Sequence, residues 1–185
     1  SWGCPPAEGC AGDEFIPVLN VLKEAGIMVV VSAGNDGPSC GTISSPPANN
    51  TDFMFSVGAY NHVNESIASF SSRGPSNFDN KLGPNIVAPG VNIRSAIPGH
   101  RYGQWGWSGT SMAGPHVAGQ VALMWSANPD LIGDVATTMD LIQMTATPKA
   151  ATKSCGESLD AIPNNTFGHG VINVLKATKA ALNAN

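Results

Sequence analysis

The chain has 185 residues and a formal net charge of −4, with nine Lys and Arg against thirteen Asp and Glu. That length fits one domain, able to bury about 70% of its unfolded surface. Basic residues this few and this scattered exclude a nucleic-acid-binding surface, and no apolar run reaches the ~18 residues that a membrane span requires.

Ser1-Trp2-Gly3 opens the chain ahead of a short loop rich in Cys and Pro. Residues 13–25 then carry Phe15, Ile16, Val18, Leu19 and Leu22 at helical spacing, and Gly26 stops the helix. Residues 27–31, Ile-Met-Val-Val-Val, are an unbroken apolar run, the pattern of a strand covered on both faces of a parallel sheet. The run stops at Ser-Ala-Gly-Asn-Asp-Gly, residues 32–37. A helix, a tight turn, a buried strand and a Gly-rich polar end together form an α/β signature, and chemistry in such sheets collects at the carboxyl ends of strands. Residues 38–51 turn to Pro, Ser, Gly and Asn and read as a surface loop. Strand returns at 53–59, with short extended pieces at 67–70 and 86–87, and residues 91–97 predict another strand before a loop over 100–107. An apolar helix over 117–125 ends at Asn128-Pro129, and residues 134–146 and 171–182 carry helical patterns that cover the sheet. No repeat, low-complexity tract or second domain interrupts this order.

The four cysteines, Cys4, Cys10, Cys40 and Cys155, are even in number, and Asn-x-Ser/Thr acceptors begin at Asn49, Asn64 and Asn164. Together they point to a secreted, extracellular glycoprotein. Cys4 and Cys10 close a short loop, which leaves Cys40 with Cys155, one of three possible connectivities. No Cys-x-x-Cys spacing supports a structural zinc site; free buried cysteines are the other reading.

Residues 107–119 read Trp-Ser-Gly-Thr-Ser-Met-Ala-Gly-Pro-His-Val-Ala-Gly and set one hydroxyl, Ser111, between a flexible Ser-Gly turn and the apolar helix. Thr110 or Ser111 caps that helix, whose unpaired N–H groups stabilise negative charge developing beside Ser111. Pro115 lacks the N–H that would bond to the Ser111 carbonyl, which loosens the first turn. On Ser-Gly-Thr-Ser alone, a small-residue helix start buried for packing accounts for the pattern equally well. The full stretch closely resembles the nucleophile segment of subtilisin-like serine proteases, the subtilases.

That resemblance implies a three-layer α/β fold with a mostly parallel sheet flanked by helices. It makes residues 1–185 the C-terminal portion of a single catalytic domain whose N-terminal part is absent. It extends from Ser1-Trp2-Gly3 to Phe-Gly-His-Gly-Val-Ile-Asn at 167–173, which is similar to the family's final helix start. It implies a serine endopeptidase with Ser111 as nucleophile, forming an acyl-enzyme on a peptide or protein substrate. Val-Val-Val-Ser-Ala-Gly-Asn-Asp-Gly resembles the family segment whose Asn, here Asn35, forms the oxyanion hole with the nucleophile's amide. Without the resemblance, an Asn in a Gly-rich turn is a backbone-bonding loop residue. Ser1, Trp2 and Gly3 look like the edge segment that pairs with substrate backbone. Ala33, Gly34 and Asp36 lie where the family lines the pocket for the residue before the scissile bond. The Asp36 carboxylate there either favours a basic side chain or is simply solvated.

A serine hydroxyl also needs a base within hydrogen-bond reach, itself oriented by a third group. Subtilases take Asp from an Asp-Ser/Thr-Gly strand end and His from a His-Gly-Thr-His helix start, both earlier in the chain than the serine. None of the eight Asp here precedes Ser/Thr-Gly, and the one His-Gly, at His169, follows Ser111. The expectation is a companion N-terminal segment carrying both groups. His116, five residues after Ser111 on the same segment, reads as a packing or hydrogen-bonding histidine. Catalysis of this kind requires no cofactor. Family members often bind calcium for stability, but no Asp-x-Asp-x-Asp-Gly loop occurs here.

Two other functions compete. An α/β-hydrolase-like esterase would draw Ser111, Asp140 or Asp160, and His169 from this chain alone, but its Gly-x-Ser-x-Gly elbow fails at Ala113. A non-catalytic subtilase remnant would bind a peptide or partner along the Ser1-Trp2-Gly3 edge.

Overall fold

The computed structural model describes residues 1–184, with Gln104 and Trp105 described by their backbone alone. Helix α1 (Ile16–Glu24) begins three residues later than the apolar spacing predicts, because Pro17 falls in its first turn, where no N–H is needed. Ahead of it, the Glu14 carboxylate accepts the Ala11 and Gly12 amides, and these bonds hold its pKa below the usual carboxylate range. Gly26, at φ +72°, turns the chain out of α1; a Cβ there would lie 2.7 Å from the Gly133 Cα. The chain then enters strand β1 (Val30–Ser32).

β1 pairs in parallel with β2 (Phe55–Asn61), and β2 pairs in parallel with β4 (Ile86–Pro89). The short β3 (Ser66–Ile67) folds back antiparallel on the end of β2. Alternation along the strands sends Val30, Phe55, Val57, Ile86 and Ala88 to one face. There they meet Val117, Val121 and Met124 of α2 (Thr110–Ala127), Ile142 of α3 (Val135–Thr145), and Ala177 and Ala181 of α4 (Val174–Ala181). Each large side chain fully buried in this cluster contributes about 1.5–3 kcal/mol. The opposite face carries Val31 and Val87, and irregular chain covers it: Ala33, Ile43 and Ala48 pack with Val31, and Tyr60 and Phe167 with Val87.

Several sequence expectations are corrected here. Residues 38–51 are a surface loop only at their start: Pro38, Ser39 and Gly41 are exposed, but Ile43 is fully buried and Pro46 to Asn50 are all buried, because this part of the segment roofs the helix-free face. The loop expected over 100–107 is strand β6 (Arg101–Trp107), paired antiparallel with β5 (Ile93–Ile97) around a turn at residues 98–100. Val171 is not helical; it bridges Val87 and Thr147, and α4 starts only after Asn173, whose side chain accepts the Lys176 amide. Asp134 caps α3 in the same way through Thr137, and that bond keeps its pKa below the ordinary value.

Disulfides join Cys4 to Cys10 and Cys40 to Cys155, across Cα separations of 5.8 and 5.4 Å. Of the three glycosylation acceptors, Asn49 and Asn164 are buried, at 2% and 0% exposure, and only Asn64 stands in solvent. The Asn164 side chain is consumed by four bonds, accepting from Thr166 and Phe167 and donating to Lys149 and Ala161.

Candidate active site

The carboxyl ends of β1 and β4 deliver the two halves of the site. β1 runs into Ala33 and Gly34, where a φ of +106° turns the chain so that Asn35 faces the start of α2. A side chain at Gly34 would strike the Ser72 hydroxyl at 2.7 Å. Ser72 clasps this turn from below: its amide donates to the Gly34 carbonyl at 2.9 Å, and its hydroxyl accepts the Asp36 amide at 3.1 Å. From the other side, the Gly109 amide donates to the Gly90 carbonyl at 2.8 Å, which ties the entry of α2 to the end of β4.

Gly109 is the residue before α2, and no side chain of its own segment caps the helix. Asn35 does this across 75 residues: its Oδ1 accepts both the Thr110 amide and the Thr110 hydroxyl at 2.9 Å. Because a backbone N–H can only donate, these bonds fix which end of the carboxamide is oxygen. Nδ2 is then left on the open side. A Cβ placed on Gly109 would lie 3.7 Å from the Ser111 amide nitrogen and 3.8 Å from Asn35 Nδ2. Two donors therefore flank one small space beside Ser111, kept empty by the missing side chain of Gly109.

Two clefts meet at Ser111. One, of about 340 Å³, is lined by Ser1, Trp2, Gly3, Ala33, Gly34, Asn35, Asp36 and Ser111 together. Its remaining wall is Pro5, Ser32, Thr42, Ser44, Ser45 and Ala48, and the last four were not singled out by the sequence, since they belong to the segment read as loop. Thr42 is held there by three bonds to the backbone of Arg73, whose guanidinium burial pushes below its ordinary pKa. The second cleft, of about 420 Å³, lies between Ser111, Met112, Pro115 and His116 of α2 and Ile93, Arg94, Ser95 and Trp107 of the β5–β6 hairpin.

No hydrogen bond joins the Ser111 hydroxyl to an imidazole or carboxylate among the described residues. His116 lines the second cleft, but its Nδ1 bonds to the Met112 carbonyl at 2.8 Å, within its own helix. His169, Asp140 and Asp160 line neither cleft that contains Ser111. Half-burial lowers the His169 pKa, against the opposing charge of Asp140, and its amide is fixed to the Asn85 carbonyl. The internal triad of an esterase is thus not assembled. The described residues gather no group of three or more His, Cys, Asp or Glu that could hold a metal ion. No described helix is long and apolar enough to cross a membrane.

Among the described residues, the parallel sheet thus presents a serine at a helix start with a carboxamide locked beside its amide, and no imidazole or carboxylate is bonded to that serine. Residues 1–170 match Peptidase S8, the subtilase family, and the chain belongs to that family. It is 39% identical over 187 residues to bacillopeptidase F of Bacillus subtilis, across 97% of this chain and 12% of that protein. It is 37% identical over 162 residues to a subtilisin of Bacillus pumilus, across 88% of this chain and 50% of that one. Among solved structures, the prenylagaramide maturation protease PagA superposes with a TM-score of 0.69 at 25% identity, over 92% of this chain and 56% of that chain. The chain therefore spans half or less of the curated relatives it matches here.

Proposed function

We propose that these residues form the nucleophile and oxyanion-binding portion of a secreted serine endopeptidase. Ser111 attacks a peptide carbonyl, and the oxygen that becomes negative enters the space over Gly109, where the Ser111 amide and Asn35 Nδ2 donate to it. The observation that carries this reading is the Asn35–Thr110 pair of bonds, which pre-orients the carboxamide so that no reorganisation is needed when charge develops. The acyl portion of the substrate lies in the cleft shared by Ser1, Trp2, Gly3, Ala33, Gly34 and Asp36; Asp36, exposed at its rim, favours a basic side chain before the scissile bond. The base and the carboxylate that orients it come from a companion segment N-terminal to this chain. No cofactor enters the reaction, since nucleophile, base and oxyanion donors are all protein groups.

The test uses the native protein purified from its source. A phosphonofluoridate labels Ser111, and Ser111→Ala abolishes both labelling and peptide hydrolysis; hydrolysis that survives Ser111→Ala sinks the assignment. Asn35→Asp keeps an oxygen for the Thr110 cap but removes the Nδ2 donor. It is expected to lower kcat by about 10²–10³ with little change in KM, the cost known for the oxyanion-hole Asn of subtilisin itself. An equal rise in KM at constant kcat would show instead that Asn35 binds substrate without stabilising the transition state.

A further inference from the structure

The two clefts that meet at Ser111 carry opposite charge. Asp36 lines the Asn35 side, whereas Arg94 lines the hairpin side, among apolar walls of Ile93, Trp107, Met112 and Pro115. No carboxylate answers Arg94: from Asn80 to Pro129, a span that holds both walls of the second cleft, the sequence contains no Asp or Glu. The ion pairs among the described residues, Lys81 with Asp52 and Lys149 with Glu65, lie elsewhere. Arg94 is exposed, yet a ring holds it in place. Tyr102 pairs with Ala96, so Arg94, two residues before Ala96, is its diagonal neighbour on the same face of the hairpin. The guanidinium carbon lies 4.8 Å from the centre of the Tyr102 ring. A guanidinium stacked in this way spends its flat face, and its five N–H groups lie in its plane, so its edge stays free for the two oxygens of a carboxylate.

We propose that Arg94 is a specificity-determining residue of this site, selecting peptides that carry Asp or Glu within the first three residues after the scissile bond. The inference rests on the protease reading and adds to it the chemistry of the leaving half of the substrate. With the acyl half beside Asn35 and Asp36, the leaving half runs into the second cleft, which opens from the same serine. Ile93, the neighbour of Arg94, pairs with Trp107, four residues before Ser111, so Arg94 stands within reach of a few extended residues at about 3.3 Å each. Charge on both sides also sets direction. A peptide with a base before the bond and an acid after it meets two opposite charges, and the reversed order meets two like ones. The competing account is that Arg94 and Tyr102 merely stiffen an exposed hairpin; that role would act on every substrate alike.

The experiment uses the complete native protein and quenched fluorescent peptides that share one acyl half ending in Arg. Asp, Asn or Lys occupies the first, second or third place after that Arg, and mass spectrometry locates each cut. At low ionic strength, Asp at one of these places is expected to raise kcat/KM about fivefold over isosteric Asn, the scale of a partly exposed charge pair, with Lys below Asn. In 1 M salt, where screening acts over about 3 Å, the Asp-to-Asn ratio should fall toward one. Arg94→Ala should bring that ratio to one at low salt, Arg94→Glu should place Lys above Asp, and Arg94→Lys should retain part of the preference, since it keeps the charge without the fork. A ratio that Arg94→Glu leaves unchanged overturns the proposal, and so does a loss in Arg94→Ala that is equal for all three peptides. Phosphonofluoridate labelling separates the two readings. Protein labelled at Ser111 and active without any preference for Asp overturns the role of Arg94 and retains the protease; unlabelled protein that cleaves none of the peptides overturns both.

Discussion

The two edges of the parallel sheet are made of similar residues and end differently. At the β4 edge the chain returns: Val171 bridges Val87 and Thr147, the Val87 amide donates to the Gly170 carbonyl at 2.9 Å, and Ile86, Val87 and Ala88 are fully buried. At the β1 edge nothing among the described residues returns, and Val29, Val30 and Val31 stay half-buried beside an apolar groove. The strand sequences do not explain the contrast, since Val-Val-Ser and Ile-Val-Ala-Pro are both fit for a sheet interior. What differs is the supply of a second neighbour, and an edge left unpaired is a site for pairing with other chain. Ser111 and Asn35 sit between the two edges, anchored to the closed one through Gly90 and built on the open one through Gly34.

The Cys40–Cys155 bridge ties these halves together, four residues after Asp36 on one side and beside Asn165 on the other. With a sequence separation of 115 it removes far more chain entropy than Cys4–Cys10, with a separation of 6. Denaturant melts of the Cys40→Ala/Cys155→Ala pair are expected to show a loss of about 5 kcal/mol, against about 2 for Cys4→Ala/Cys10→Ala, on the loop-closure estimate. Equal losses would mean that the halves hold together without the staple. A smaller step compares the faces directly. Met124→Ala, in the closed core, is expected to cost about 2–5 kcal/mol, whereas Val30→Ala in a purified chain of these 185 residues costs under about 1. Equal costs would break the contrast and show that β1 is already covered.

The smallest expected effect is a pH dependence confined to the closed edge. Burial lowers the His169 pKa below its ordinary value of about 6.5, so the folded state binds the proton less well than the unfolded chain. Its contribution to stability is complete above about pH 6.5 and is lost as pH falls through the folded-state pKa. His169→Gln should therefore flatten the melting temperature of the native protein below pH 6.5 and leave it unchanged in shape above. A profile identical to the parent would place the acid sensitivity elsewhere.

Much of the site was legible because its signals are local. The Gly-Thr-Ser helix start and the Ser-Ala-Gly-Asn-Asp turn each declare themselves in a few residues, through glycine, small hydroxyls and an adjacent apolar run. The helix over 134–146 was equally readable, with Asp134 as its cap. Residues 38–51 misled because Pro, Ser, Gly and Asn mark irregular backbone without saying whether it is exposed; here Asn50 spends its amide on the Gly12 carbonyl and the segment lies buried on a sheet face. Ser72 gave no signal, since a hydroxyl that clasps a turn 36 residues away looks like any loop serine. The β6 strand was missed because its Gly and aromatic alternation acquires meaning only opposite β5.

The sequence by itself determined the Gly-Thr-Ser helix start, the Ser-Ala-Gly-Asn-Asp turn and the absence from residues 1–185 of the family's Asp and His motifs, because each is a contiguous pattern or the lack of one. Only the tertiary structure decided which end of the Asn35 side chain faces Ser111, because that depends on Thr110 donating to Oδ1 across 75 residues. It also decided that one sheet edge is closed and the other open. Pairing is a property of neighbours in space, and a strand's own residues do not say whether a neighbour is there.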